Sequence, residues 1–258
     1  MNQTHDIYAI TLIFLFALAA GLVGCFALMK RMLIASDVVS HLTLPGLGLA
    51  YVFHFNPLLG AACSLLVGII LIAQLQWSTG LTTDTMIAVV FAVSLAVGAA
   101  LTPREDLADA FFGNFQPIPL STFLLALLAI CLVIVFIVRL KDQLILSFFS
   151  PELAAASGVP LHRVNFGFLL IFGITVLMGI RFMGALLSGS LIMLPAAIGR
   201  RLTNSLKGFL WISSFSSIAI VGIGTLISGH IVRSLSLGPA ATLVGTAFFG
   251  VSLLCKRA

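Results

Sequence analysis

Long apolar blocks alternate along this chain with short polar punctuation, each block near the roughly 20 residues that a membrane-crossing helix needs. The first, about Ile7–Met29, ends at Lys30-Arg31, and the second, about Val38–Phe55, ends at Asn56-Pro57. A third covers about Leu58–Trp77 before the polar turn Ser78–Asp84. The fourth, about Thr85–Leu101, leads into Thr102–Pro119, which carries Arg104, Glu105, Asp106 and Asp109. A fifth, about Leu120–Val138, ends in Arg139-Leu140-Lys141, and the longest polar interval follows, about Lys141–Arg163. The sixth block is about Val164–Ile180 and the seventh, after Arg181, about Phe182–Ile198, closed by Arg200, Arg201 and Lys207. The eighth is about Gly208–Ser228 and the ninth about Ser236–Leu254, before Lys256-Arg257. The pattern predicts an all-α, polytopic transmembrane helical bundle of about nine spans, eight if one segment is re-entrant. The second and seventh blocks are short and contain Pro45-Gly46 and Pro195, so either is a candidate for a broken or re-entrant helix, tolerable where it faces protein or a water-filled path.

Composition strengthens that reading. Of 258 residues, 60% are hydrophobic and 8% charged, whereas a soluble domain carries about 25% charged residues. The ten-residue alternation of an outer-membrane barrel is absent. The N-terminus lacks a basic region and runs into a full-length span, so no cleavable signal peptide is expected. The net charge of +5 reflects loop bias rather than an affinity for nucleic acid. With Lys30-Arg31 placed inside, ten of the 13 basic residues fall inside: Lys30, Arg31, Arg139, Lys141, Arg163, Arg200, Arg201, Lys207, Lys256 and Arg257. Only Arg104, Arg181 and Arg233 fall outside, which predicts an external N-terminus and a cytoplasmic C-terminus.

Inside the second block the apolar pattern breaks. Ser36-Asp-Val-Val-Ser-His-Leu-Thr-Leu-Pro-Gly-Leu-Gly48 sets Asp37 and His41 four residues apart, on one face of a helix. A carboxylate oxygen and an imidazole nitrogen suit Zn2+ and Mn2+ alike. In a soluble helix such a pair is commonly a surface ion pair. In a membrane, an ionisable group near the centre costs about 2.5–3.5 kcal/mol or more unless it is paired or wetted, which favours a functional role. On the residues alone both readings stand.

A second stretch, Phe149–Arg163, reads as a short cytoplasmic helix. Ser150 is the expected N-cap, Pro151 takes the first helical position, Glu152 complements the helix N-terminus, and Gly158 stops the helix with Pro160 just beyond. Joined to spans at both ends, it is suited to dock on another protein and transmit force, the alternative being an ordinary connecting loop.

Other features have simpler readings. Cys25, Cys63, Cys131 and Cys255 are scattered singly and are expected to be buried small apolar residues. Gly21/Gly24, Gly46/Gly48, Gly184/Gly189 and Gly222/Gly224 read as close helix packing. His54, His162 and His230 are isolated and read as solvated loop histidines, although His54 and His230 fall where they would hand a metal inward. No G-x-x-x-x-G-K-[ST] phosphate loop and no catalytic arrangement of Ser/His/Asp or paired carboxylates occurs.

Lys30-Arg-Met-Leu-Ile-Ala-Ser-Asp-Val-Val-Ser-His-Leu-Thr-Leu-Pro-Gly46 resembles the signature after the first span of the ABC-3 permeases. These are the membrane subunits of bacterial zinc, manganese and iron uptake transporters, the zinc-uptake permease among them. The likeness continues through Asp84-Thr-Met-Ile-Ala-Val-Val, Asp106-Leu-Ala-Asp-Ala-Phe-Phe-Gly113, Ser150-Pro-Glu-Leu-Ala-Ala-Ala-Ser-Gly158 and Phe182-Met-Gly-Ala-Leu-Leu-Ser-Gly-Ser-Leu-Ile-Met-Leu-Pro-Ala-Ala197, followed by Arg200-Arg201. It implies a type II ABC importer-like fold, with one permease domain over 1–258 and a coupling helix near 150–158, in the cytoplasmic (inner) membrane of a bacterium.

The implied partners are two cytoplasmic ATPase subunits, an extracytoplasmic metal-binding protein, a second permease chain (identical or a close paralogue) and membrane lipid. No nucleic acid is among them. The transported Zn2+, Mn2+ or Fe2+ falls on Asp37 and His41, with His230 a further candidate ligand. The ATPase contact falls on Ser150, Pro151, Glu152, Leu153, Ala154, Ala155 and Gly158. No cofactor is expected to stay bound, and ATP hydrolysis is expected on the separate ATPase rather than on this chain. Asn114 departs from the acid that many relatives carry, and no His-rich loop favours zinc. A secondary metal transporter would show several intramembrane acids, where Asp37 is the one strong candidate. A permease for a metal chelate or a vitamin would not need the Asp–His pair.

Overall fold

The computed structural model describes residues 3–32, 35–101, 120–228 and 237–254, and among them every regular element is helical. The loop expected over Thr102–Pro119 with Asn114, and also His230 and Cys255, lie outside those residues. In chain order the helices are α1 (Gln3–Met29), α2 (Ala35–Ser40), a 3-10 turn (His41–Thr43), α3 (Leu44–Phe53), α4 (Pro57–Thr79) and α5 (Thr83–Leu101). After these come α6 (Leu120–Phe149), α7 (Pro151–Ala156), α8 (Leu161–Leu202), α9 (Leu206–Leu226) and α10 (Leu237–Leu254).

Seven helices among the described residues are long and apolar enough to cross a membrane: Ile10–Met29 of α1, α4, α5, Thr122–Phe149 of α6, Leu161–Arg181 of α8, α9 and α10. The expected count of about nine is not reached on this measure, and two segments make the difference. The expected second span is broken into α2, the 3-10 turn and α3. Pro45 has no N–H to offer the His41 carbonyl, and its ring would collide with that oxygen in an unbroken helix. The chain tightens instead, so that the Leu44 N–H donates to the His41 carbonyl. Thr43 Oγ1 donates to the Ser40 carbonyl at 2.7 Å, and Ser64 of α4 donates its hydroxyl to the Leu42 carbonyl, so the break stays hydrogen-bonded.

The expected seventh span is the return arm of α8. A straight helix of 42 residues would reach about 63 Å, twice the roughly 30 Å hydrocarbon thickness. It is not straight. Gly184 has φ 83° and ψ 161°, a region open essentially to glycine alone, and the chain folds back there. Ser188 returns beside Val176, and a side chain at Gly179 would overlap it.

At α6 the polar interval is shorter than expected, because the helix runs on through Arg139 and Lys141 to Phe149. Leu144 is wholly buried and Leu140 and Phe148 pack on the core, so an apolar stripe at helical spacing outweighs the charges.

The core is built around α1, which packs between α8 and α9, with α10 against the same two helices. Phe16, Phe26, Phe168 and Phe172 are fully buried there. A second group, α3 with α4 and α5, joins this core through α2 and α4 against α8. Within it α3 and α4 cross backbone to backbone at Gly46 and Gly60, where any side chain would strike the facing carbonyl. Cys25 is buried as expected, but Cys63 and Cys131 are exposed. They lie among outward Leu66, Val67, Leu128 and Leu132, which are exposed too, the apolar surface that a membrane bundle turns to lipid.

Candidate metal site and coupling helix

Asp37 lies on α2 and His41 opens the 3-10 turn. From Ala35 to Thr43 every residue is buried except Asp37, Val38 and His41, so the pair shares the face turned away from the core. Two helices flank them. The half-buried His41 ring meets Phe91 of α5 with centroids 5.4 Å apart. Beside Asp37 stands Gly189 on the return arm of α8, where an added Cβ would lie 4.0 Å from Oδ1.

Two donors do not complete a metal site. A tetrahedral ion takes about four ligands, and among the described residues no three of His, Cys, Asp and Glu come together. Further ligands have to come from water or from another chain. His54 does not join the pair: it ends α3 in the left-handed conformation, φ 55°, and is exposed.

The short helix expected over 150–158 is α7. Pro151 starts it and Glu152 lies in its first turn, but Ser150, at the N-cap position, makes no side-chain cap hydrogen bond. Its end matches expectation. Gly158 has φ 75°, the Gly158 N–H donates to the Ala155 carbonyl at 3.1 Å, and the Val159 N–H donates to the Ala154 carbonyl at 2.9 Å. That is a Schellman end, which glycine favours. Ala154 anchors the helix, fully buried, while Leu153 is 61% and Phe149 70% exposed.

Several residues near these segments escaped the sequence reading. Gly189 reads in the sequence as a packing glycine, and only the fold of α8 brings it to Asp37. Lys30 reads in the sequence as an inner-face cation. Its stem is half-buried, yet its Nζ is covered, has no hydrogen-bond partner among the described residues, and sits 5.4 Å from the Phe148 ring centroid and 5.5 Å from that of Phe168. Burial pushes the ammonium down to about 8. His162 is exposed, as expected of a solvated histidine, and its ring also meets that of Trp77 edge-on at 5.3 Å, a contact the sequence does not announce. No local motif announces these contacts, because each joins residues far apart in the chain.

The profile of the ABC 3 transport family matches residues 6–256. The chain is similar to a manganese transport system membrane protein of Listeria innocua serovar 6a, 27% identical over 92% of this chain and 85% of that protein. It is also similar to a probable iron transport system membrane protein of Haemophilus influenzae, 26% identical over 93% of this chain and 90% of that one. Among solved structures, PsaBC from Streptococcus pneumoniae in complex with Fab matches with a TM-score of 0.81 at 23% identity, over 96% of this chain and 91% of the other. At that identity the likeness is one of fold.

Proposed function

The chain belongs to the ABC 3 transport family, and from that premise we propose that it is the membrane-spanning permease of an ATP-driven importer of a divalent transition metal. The observation that carries this reading is the pair Asp37 and His41, turned outward from the core on a helix broken just beyond them. Two chains about a two-fold axis would bring two such pairs together and supply four donors. A path site must also release its ion, which a shared, half-built site allows. His41 ligates only when neutral, so affinity falls with acidification.

An oxygen–nitrogen donor set accepts Mn2+, Fe2+ and Zn2+. The names of the relatives support manganese and iron, and none of those named above points to zinc. His230 is a further candidate ligand on the outer side. The helix α7, with Leu153 and Phe149 exposed, is suited to meet the cytoplasmic ATPase, which would hold the hydrolytic site. An extracytoplasmic binding protein would deliver the ion. If α2–α3 and the return arm of α8 also cross the bacterial inner membrane, the chain passes about nine times, with its N-terminus outside and its C-terminus in the cytoplasm.

The test is uptake by the permease reconstituted with its ATPase and binding protein, with Mn2+, Fe2+ and Zn2+ offered separately. Uptake that needs hydrolysable ATP is the expected result. Equal uptake with a non-hydrolysable analogue would make the chain a secondary transporter.

A further inference from the structure

Each flank of α7 carries a side-chain contact that leads back to the Asp37 segment. On the incoming flank, Phe148 in the last turn of α6 and Phe168 of α8 pack edge to face at 5.2 Å, and the Lys30 ammonium rests on both rings. Nothing polar among the described residues pairs with it. A covered ammonium without a hydrogen-bond partner is costly, and an apolar residue of similar length would fill the space without that cost. Stability therefore does not explain the charge.

Lys30 belongs to the turn that ends α1. The Lys30 N–H donates to the Phe26 carbonyl at 2.9 Å, Arg31 takes φ 61°, the Met32 N–H donates to the Ala27 carbonyl at 2.8 Å, and the Ala35 N–H donates to the Met32 carbonyl at 3.1 Å. Met32, two residues past Lys30, is thus bonded back to α1 and forward to Ala35, the first residue of the helix that carries Asp37.

On the outgoing flank, His162 in the first turn of α8 meets Trp77 at the end of α4. From there α4 reaches the far end of the same segment, where Ser64 donates to the Leu42 carbonyl and Gly60 packs on Gly46. One contact therefore leads through the α1 turn to the residues before Asp37, and the other, between the exposed rings of Trp77 and His162, leads along α4 to the residues after His41. A single tether would let the segment pivot, whereas two can tilt it.

We propose that Lys30 and the Trp77–His162 pair are positioning residues, tying the two ends of α7 to the segment bearing Asp37 and His41, so that displacement of α7 by the ATPase re-sets that segment. The proposal rests on the chain being an ATP-driven metal permease.

In the reconstituted transporter, Lys30→Met and Trp77→Leu are each expected to keep ATP hydrolysis within about twofold of wild type while metal imported per ATP falls by roughly tenfold. Lys30→Arg keeps a cation on the rings and restores import. His162→Gln carries the same expectation as Trp77→Leu, should either partner variant assemble poorly. Import and hydrolysis falling in equal proportion would make these residues structural only and overturn the proposal, as would unchanged import per ATP. Asp37→Ala separates the linkage from the reading beneath it. Lost import in Asp37→Ala with normal coupling in Lys30→Met and Trp77→Leu overturns the linkage alone. Full import in Asp37→Ala overturns the metal site and the linkage with it.

Discussion

Lys30 shows how much a single side chain hides from a linear reading. In the sequence it is one of a basic pair at the end of a span; in the fold its ammonium is covered and rests on two rings. Burial lowers it from 10.5 to about 8. The unfolded chain therefore binds more protons between those values, so stability rises with pH across that window and the cost is fully present below it. The rings favour the charged form, which narrows the window without reversing the sign. Melting of the detergent-solubilised protein is expected to shift upward from about pH 8 toward pH 10.5 in wild type and not in Lys30→Met, whereas identical profiles would contradict the burial. Asp37 and His41, by contrast, were legible at once, because two polar residues at helical spacing stand out in an apolar block. Their neighbours Phe91 and Gly189 were not, since only the packing of α5 and α8 brings them near.

Among the elements, those governed by local rules were the readable ones. Pro45 announced the broken helix, and Gly158 announced the end of α7, where the left-handed φ of 75° suits glycine. The extension of α6 past Arg139 and Lys141 was not readable, because charges mark a span end while the stripe of Leu140, Leu144 and Phe148 has meaning only against the core. The fold-back of α8 was visible as two apolar blocks around Arg181, but not as a hairpin turning on one residue. Gly184 at φ 83°, ψ 161° makes a sharp prediction. Gly184→Ala is expected to destabilise the protein by about 1–3 kcal/mol, seen as a lowered melting temperature. A variant as stable as wild type would mean that the turn is made some other way.

Taken as a whole molecule, the chain is an all-helical membrane bundle in which α1, α8, α9 and α10 form a well-packed body. The α3–α4–α5 group stands beside it, with the Asp37–His41 segment between. Composition and block length were enough to read the class, because a chain so poor in charge has few other ways to satisfy its backbone. They were not enough to read the number of crossings, since Pro45 and Gly184 divide helices in ways that block length alone does not weigh. The central claim is that the outward pair on the broken helix handles the transported ion. It is tested most directly by ATP-driven uptake of Mn2+, Fe2+ and Zn2+ in wild type, Asp37→Ala and His41→Ala, with assembly of permease and ATPase verified in each. Loss of roughly tenfold or more in both variants is predicted, with the complex intact and with Mn2+ or Fe2+ as the ion lost. Full uptake by both, in an assembled complex, would contradict the account and leave the pair as a helix-stabilising contact.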